Sequence, residues 1–317
     1  MIGSFQGLSL GRNNTLHKDT HAIRYKTTLE TCRLSMCYQS SSHSLSCFSS
    51  NKTATLYDLY NQQVPYEQAW AWQKQLVENV CASDANFPSS SSPAGAAILL
   101  QHDPVYTLGA GATEEHLGFN PETPPYPLFR TERGGEVTYH GPGQLVMYPI
   151  LNLKLFQADL HWYLRSLEEV VIKALGEVSG LRGERINGLT GVWVNGKKVA
   201  AIGVRATRWV SYHGLALNVT ADLSPFKDIV PCGIIDREVT SVVELLVDQG
   251  LEEDPYANRH DLMDIYSGKE FRRQLLQEYR YGLLSASEEV FGLEWKTVWE
   301  GKEALARLER TDRLELI

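Results

Sequence analysis

A mixed-sheet α/β or α+β fold in a single domain is what this sequence predicts, and three observations carry the prediction. Strand-like and helix-like periodicities interleave between residues 64 and 246 without a strict strand-helix-strand repeat, which argues for a mixed rather than an all-parallel sheet. The run Leu145 to Leu151 is apolar without alternation and is bounded by Gly143 and Asn152, as a core strand buried on both faces requires. With 317 residues, 43% hydrophobic and 21% charged, the chain can bury one large core and still carry extra segments at its ends. No apolar run approaches the roughly eighteen residues that a membrane-spanning helix needs.

In chain order, residues 1–52 hold ten serines, six Lys or Arg and only two acids, Asp19 and Glu30, with no hydrophobic periodicity. That composition predicts a disordered organellar transit peptide, plastidial before mitochondrial because arginine is sparse. Val64 to Val80 starts with Pro65 and sets Ala69, Trp72, Leu76 and Val80 on one face, which predicts a core-packing helix. Ala82 to Gly95, with its serine run, reads as an exposed insertion. Ala96 to Leu100 and Val105 to Leu108 read as strands around a His102-Asp103-Pro104 turn, and Gly118 to Pro127 as loop.

Asp159 to Ser179 is the clearest helix, capped by Asp159 and stopped by Gly180, with Leu160, Tyr163, Leu164, Leu167, Val170, Val171, Ala174 and Leu175 expected on its buried side. Strands follow at Val192 to Val194, Lys197 to Val204 and Trp209 to Val219, the first two joined by an Asn195-Gly196 type I′ turn. Ser241 and Glu244 then open a helix as a capping box. The expected division is 1–52 transit peptide, 53–296 catalytic domain and 297–317 C-terminal tail.

Two stretches stand out chemically. Arg133 to Ile150 reads RGGEVTYHGPGQLVMYPI, and its glycines admit backbone to close contact with a ligand or another strand. The spacings of a nucleotide-phosphate loop are absent, so the residues alone leave open a glycine-rich hairpin with a structural histidine and a loop for some other ligand. Ile229 to Ile234 reads IVPCGI and sets Cys232 between a proline and a glycine. The cysteines Cys32, Cys37, Cys47, Cys81 and Cys232 show no CxxC pair and no metal spacing. Lys197 and Lys198 point to opposite faces of their strand, and periodicity does not decide which enters a site.

Taken together, RGGEVTYHGPGQLVMYPI, GVWVNGKKVAAIG, HGLALNV and IVPCGI resemble the lipoyl (octanoyl) transferases over roughly Leu56 to Leu246. The resemblance implies the mixed-sheet catalytic domain shared with biotin and lipoate protein ligases. It places the nucleophile on Cys232 and selects Lys198 over Lys197 as its partner. It places acyl binding on Arg133, Gly134, Gly135, Glu136, Val137, Thr138, Tyr139 and His140, on Ala201, Ile202 and Gly203, and on Gly214, Leu215 and Ala216.

The implied reaction moves an octanoyl group from octanoyl-acyl carrier protein through a cysteine thioester to a lysine amine on a lipoyl domain, the first step of endogenous protein lipoylation. Expected partners are acyl carrier protein and the lipoyl domains of 2-oxoacid dehydrogenase complexes, with glycine cleavage H protein as a further candidate, and neither nucleic acid nor membrane. A thioester donor needs no ATP, and no metal or other cofactor is expected. A thiol with a pKa of about 8.5 is mostly protonated at neutral pH, so Lys198 is the expected activating group. His140 and His213 are candidates either for polarising the thioester carbonyl or for a structural role. The rivals are an ATP-dependent ligase of the same fold, which would not need Cys232, and a non-catalytic carrier-binding module. The chain carries a formal charge of −8, yet Leu181 to Val210 holds six bases against the single acid Glu184. Arg182, Arg185, Lys197, Arg205 and Arg208 are therefore expected to flank an entrance and steer acidic carriers.

Overall fold

The computed structural model describes residues 52–86, 93–231, 237–254 and 257–312. Its frame is an eight-stranded sheet in the order β11 (Glu294–Glu300), β1 (Thr53–Val64), β2 (Gly95–His102), β6 (Gln144–Leu151), β10 (Val210–Asn218), β9 (Lys197–Thr207), β8 (Leu189–Val194), β7 (Glu184–Ile186). The pairs β11-β1 and β1-β2 are parallel, and every other pair is antiparallel. A second sheet of three short strands, β4 (Leu128–Arg130), β3 (Val105–Leu108) and β5 (Val137–His140), is also mixed. Both sheets match the expected fold class.

Side-chain alternation explains why the large sheet is covered twice. All eight residues of β2 and all eight of β6 are buried. Ala97, Leu99, Leu145 and Met147 enter the core on one face, where α2 (Leu160–Ser179), α3 (Val242–Glu253) and α5 (Lys269–Phe291) pack, with α4 (Arg259–Ser267) joining them. Ile98, Leu100, Val146 and Tyr148 enter the core on the other face, against α1 (Tyr66–Asn86) and α6 (Gly301–Asp312). The small sheet has its own aromatic core of Tyr106, Tyr139 and Phe226.

The capping signals act as the sequence indicates, save that the Ser241–Glu244 box forms only its serine half. Asp159 accepts from the amides of His161 and Trp162, and Gly180 ends α2 at φ 66°. Ser241 accepts from the Glu244 amide, while the Glu244 carboxylate accepts from Thr240 Oγ1. Asn195 and Gly196 both have positive φ, 50° and 74°, as a type I′ turn requires.

Several expectations change. α1 continues through Asn86 and Gly95 is a buried strand residue, so Ala82 to Gly95 is not one exposed insertion. The strands around His102-Asp103-Pro104 belong to different sheets. Leu160 is 37% exposed and stands at the helix start, outside the buried stripe. Trp209 shares a positive-φ turn with Arg208 and is not the first residue of a strand. The boundary at 296/297 falls inside β11, which pairs in parallel with β1, and Ala304 and Leu308 of α6 are fully buried. Residues 297–312 are therefore part of the domain. The expected transit peptide lies outside the described residues but for Lys52.

What fastens the C-terminal segment is a buried ion pair. Arg280 on α5 donates to Asp58 on β1 and reaches Glu300 on β11 at 2.6 Å, and Asp58 is only 2% exposed. Asp58→Ala removes the buried partner and leaves the guanidinium only the exposed Glu300, and should lower unfolding free energy by up to about 3–5 kcal/mol. Chemical denaturation is the check, and the double change Asp58→Ala with Arg280→Met should recover much of the loss.

Candidate active site

The two sheets face each other across β5, β6, β9 and β10, and the gap between them holds two neighbouring spaces that share part of their walls. The first, the chamber, is lined by Lys198 with Gln144, Asn218, Phe226, Pro231 and Val239. The second is a cleft with about 490 Å³ of space between atoms, its open mouth included. Thr138, Ala201 and Ala216 line both. Along three strands the order is the same. Gln144 to Tyr148, Lys198 to Gly203 and Asn218 to His213 each run from the chamber into the cleft.

Lys198 is where its strand neighbours put it. The strand turns Lys197 outward to Glu238 at 3.5 Å and Asp248 at 3.6 Å, and buries Lys198 to 5% exposure. The Lys198 amide donates to Glu238 O at 2.8 Å, and the Thr240 amide donates to Lys198 O at 2.9 Å, so residues 238–240 lie beside the lysine as a short parallel bridge. Gly191, at φ 129°, gives the side chain its room. A Cβ there would stand 2.6 Å from Lys198 Cε and 2.7 Å from Ala200 O.

Cys232 lies outside the described residues, as do 233–236. Both flanks of that segment are anchored at the lysine. Pro231 lines the chamber, and residues 238–240 form the bridge to Lys198. Trp193 adds a further tie, with Lys198 Nζ 5.4 Å and Arg237 Cζ 5.7 Å from its ring.

Of the expected binding residues, Arg133, Gly135, Glu136, Thr138, His140, Ala201, Ile202, Gly203, Gly214, Leu215 and Ala216 line the cleft. Gly134, Val137 and Tyr139 do not. Val137 and Tyr139 alternate to the other side of β5 and pack in the small sheet's core, a consequence of the two-residue period. Gly134 instead donates its amide to Val204 O at 3.0 Å, docking the loop on β9. Arg133, although at the cleft, spends its donors on protein. Its guanidinium reaches Thr107 O, Thr107 Oγ1, Glu136 O and Gly134 O at 2.8–3.1 Å. Residue-by-residue reading missed Tyr66, Val146 and Tyr148 in the cleft and Gln144 and Asn218 in the chamber. Gln144 sits inside the glycine-rich motif, Asn218 ends HGLALNV, and a polar residue in each apolar strand was the available signal.

These buried polar groups form one directed string. Arg133 donates to Thr107 Oγ1 at 2.8 Å, and the Thr107 hydroxyl faces His140 Nε2 at 3.5 Å. His140 Nδ1 meets Gln144 Oε1 at 2.6 Å, Gln144 Nε2 donates to Asn218 Oδ1 at 2.9 Å, and Asn218 Nδ2 donates to Thr240 O at 3.1 Å. Because Gln144 Nε2 also donates to Tyr139 O, the network assigns the amide oxygen to His140 and the ring proton to Nδ1. That proton is committed, so the structural role for His140 prevails over carbonyl polarisation. His213 lines the cleft and not the chamber, away from Lys198.

Burial also sets the charge of the three histidines. It pulls His102 down to about 4, holds His140 well below its usual value and pulls His213 down to about 3, aided at His213 by Arg133 and Lys74. All three are neutral at pH 7. The His102 ring bridges Val64 O at 2.9 Å and Tyr148 Oη at 2.7 Å.

The expected basic rim is only partly present. Arg185 is held by Glu168 at 3.1 Å and Glu169 at 2.6 Å, and Lys197 by Glu238 and Asp248, so neither offers an uncompensated charge. Arg182, Arg205 and Arg208 are exposed.

Residues 65–254 match the family model described as the lipoyl protein ligase A/B catalytic domain. A chloroplastic octanoyltransferase of Arabidopsis thaliana is 48% identical over 254 residues, covering 80% of this chain and 82% of the relative. An octanoyltransferase of Synechococcus elongatus is 57% identical over 187 residues, covering 59% and 77%. Among solved structures, a lipoate-protein ligase A bound with ATP superposes with a TM-score of 0.57 at 15% identity over 83% of this chain and 94% of its own. A putative lipoate protein ligase from T. acidophilum gives 0.55 at 15% identity over 83% and 95%. At such identities the structural likeness concerns the fold alone.

A histidine neutral in the fold but protonatable in the unfolded chain makes stability fall as pH drops from 6.5 toward about 4. Calorimetry over that window should show a falling Tm. His102→Asn, which keeps a donor for Val64 O without the titration, should flatten part of the fall.

Proposed function

The chain belongs to the lipoyl protein ligase A/B catalytic-domain family as an octanoyltransferase, an acyltransferase of the chloroplast, and from that premise we propose that Cys232 and Lys198 carry the transfer as nucleophile and proton carrier. The acceptor is a lipoyl domain. The donor is octanoyl-acyl carrier protein, and the finer acceptors are the lipoyl domains of 2-oxoacid dehydrogenase complexes and glycine cleavage H protein. Residues 1–52 act as the transit peptide.

One observation supports the pairing most directly. Pro231, the residue before Cys232, lines the lysine chamber, and residues 238–240 form a backbone bridge to Lys198. In the sequence only residues 232–236 separate Pro231 from Arg237.

In the first half-reaction the Cys232 thiolate adds to the donor's thioester carbon, the carbon-sulfur bond to the donor breaks, and the donor leaves as a thiol with the proton that Lys198 holds. The octanoyl chain lies from the chamber into the cleft, along Thr138, Ala201 and Ala216. In the second, the acceptor lysine's uncharged amine adds to the Cys232 thioester, its proton passes to Lys198, and the bond to Cys232 breaks to leave an amide and a thiolate. Each step exchanges one acyl bond for another. Since a thioester is the more reactive acyl donor, neither ATP nor a metal is required.

Intact-mass measurement after mixing the chain with octanoyl-acyl carrier protein, without ATP, should show one octanoyl group gained by the wild type and none by Cys232→Ala. Lys198→Met should slow acylation by about 10²–10⁴-fold, the range for loss of a general acid-base group. No gain in mass, with acceptor modified only from free octanoate and ATP, would assign the chain to the ligase chemistry instead.

A further inference from the structure

His213 is the residue that the octanoyl-transfer mechanism leaves idle, and it is held at a cost in two separate ways. Its backbone sits at φ 57°, a left-handed conformation inside a strand, where an L-residue other than glycine or asparagine is strained. Its side chain is 1% exposed, and Nε2 has no hydrogen-bond partner. Beside it Gln73, which is fully buried, accepts from the His213 amide at 2.8 Å and also leaves its own Nε2 unpartnered. Conformations and orphaned groups of this kind collect at functional sites, where the surroundings impose them.

Position supplies the function. His213 lines the cleft at the end of β10 away from the lysine chamber, and Tyr148 does so on the neighbouring strand β6. From Ala216, on the wall shared by chamber and cleft, to His213 is three strand residues, about 10 Å at the usual rise, so an acyl chain that passes Ala216 into the cleft runs toward the imidazole. The wall behind is fixed. Tyr148 packs edge-on to the His213 ring at 6.4 Å between centroids, and its hydroxyl is bonded to His102, whose other ring nitrogen is bonded to Val64 O. Tyr212 stacks on the second side of the imidazole at 4.9 Å.

We propose that His213, braced by Tyr148 and Tyr212, is the end-stop of the acyl site and determines its chain-length specificity. This rests on the proposed seating of the chain in the cleft with its thioester at Cys232. A neutral imidazole pinned between two tyrosines cannot retreat before a longer chain. Each further methylene would be pressed against a buried, unsatisfied nitrogen or be forced to bend. Glycine is the natural replacement, since it relieves the backbone strain while removing the stop, and asparagine tolerates the same conformation with a shorter side chain.

The test uses the full chain, with octanoyl, decanoyl and dodecanoyl acyl carrier proteins in competition and acyl-enzyme read by intact mass. The wild type should take octanoyl and discriminate against dodecanoyl. His213→Gly and His213→Asn should shift the ratio toward the longer chains by about 10-fold or more, the discrimination typical of a pocket that rejects added methylenes. Melting temperature of His213→Gly should be equal to or above that of the wild type. A wild type that accepts dodecanoyl as readily as octanoyl overturns the end-stop whatever the variants do. So does a wild type acylated by octanoyl whose two variants keep its preference. A wild type acylated by none of the donors overturns both the end-stop and the reading beneath it.

Discussion

A buried guanidinium keeps the two sheets at a working distance. Arg133 bonds to the backbone of β3 through Thr107 O, to the loop carbonyls of Gly134 and Glu136, and to the Thr107 hydroxyl. The Gly134 amide then ties that loop to Val204 on β9. Gly203 makes the approach possible, because a Cβ there would stand 2.9 Å from Gly134 O. The small sheet is thus pinned along one line, and the remaining space between sheets stays open as the cleft and chamber.

The same constraint organises the polar interior. The Thr107 hydroxyl accepts a hydrogen bond from Arg133 and faces His140, and the string continues through Gln144 and Asn218 to the carbonyl of Thr240, next to the bridge that holds Lys198. Every group has a direction, so the chamber wall has one arrangement of donors and acceptors rather than several. In the proposed transfer such surroundings favour Lys198, since dipoles already fixed in direction need not reorganise when its charge changes.

Much of this was legible in the sequence where a residue's role is local. The Asp159 cap, the Gly180 stop and the Asn195-Gly196 turn follow from backbone geometry that few residues permit, and the inward choice of Lys198 follows from the family resemblance together with strand alternation. Where roles depend on partners far along the chain, the sequence was silent or misleading. Val137 and Tyr139 sit inside a motif whose alternate residues face the ligand space, and only the pairing of β5 with β3 shows which alternate. Arg185 and Lys197 looked like free charge because Glu168, Glu169 and Asp248 come from other elements. Where the terminal strand pairs was hidden for the same reason, since the residue that secures it, Asp58, lies more than two hundred positions earlier.

That last pairing has a consequence for how the domain is made. β1 is bordered by β2 on one side and by β11 on the other, with Thr53 opposite Glu294. One margin of the first strand therefore stays unzipped until nearly the whole polypeptide has been delivered. An exposed β edge invites pairing with other chains. A chain that enters a compartment amino end first consequently arrives with that border of β1 open, until β11, flanked by α5 and α6, pairs with it and becomes the edge in its place.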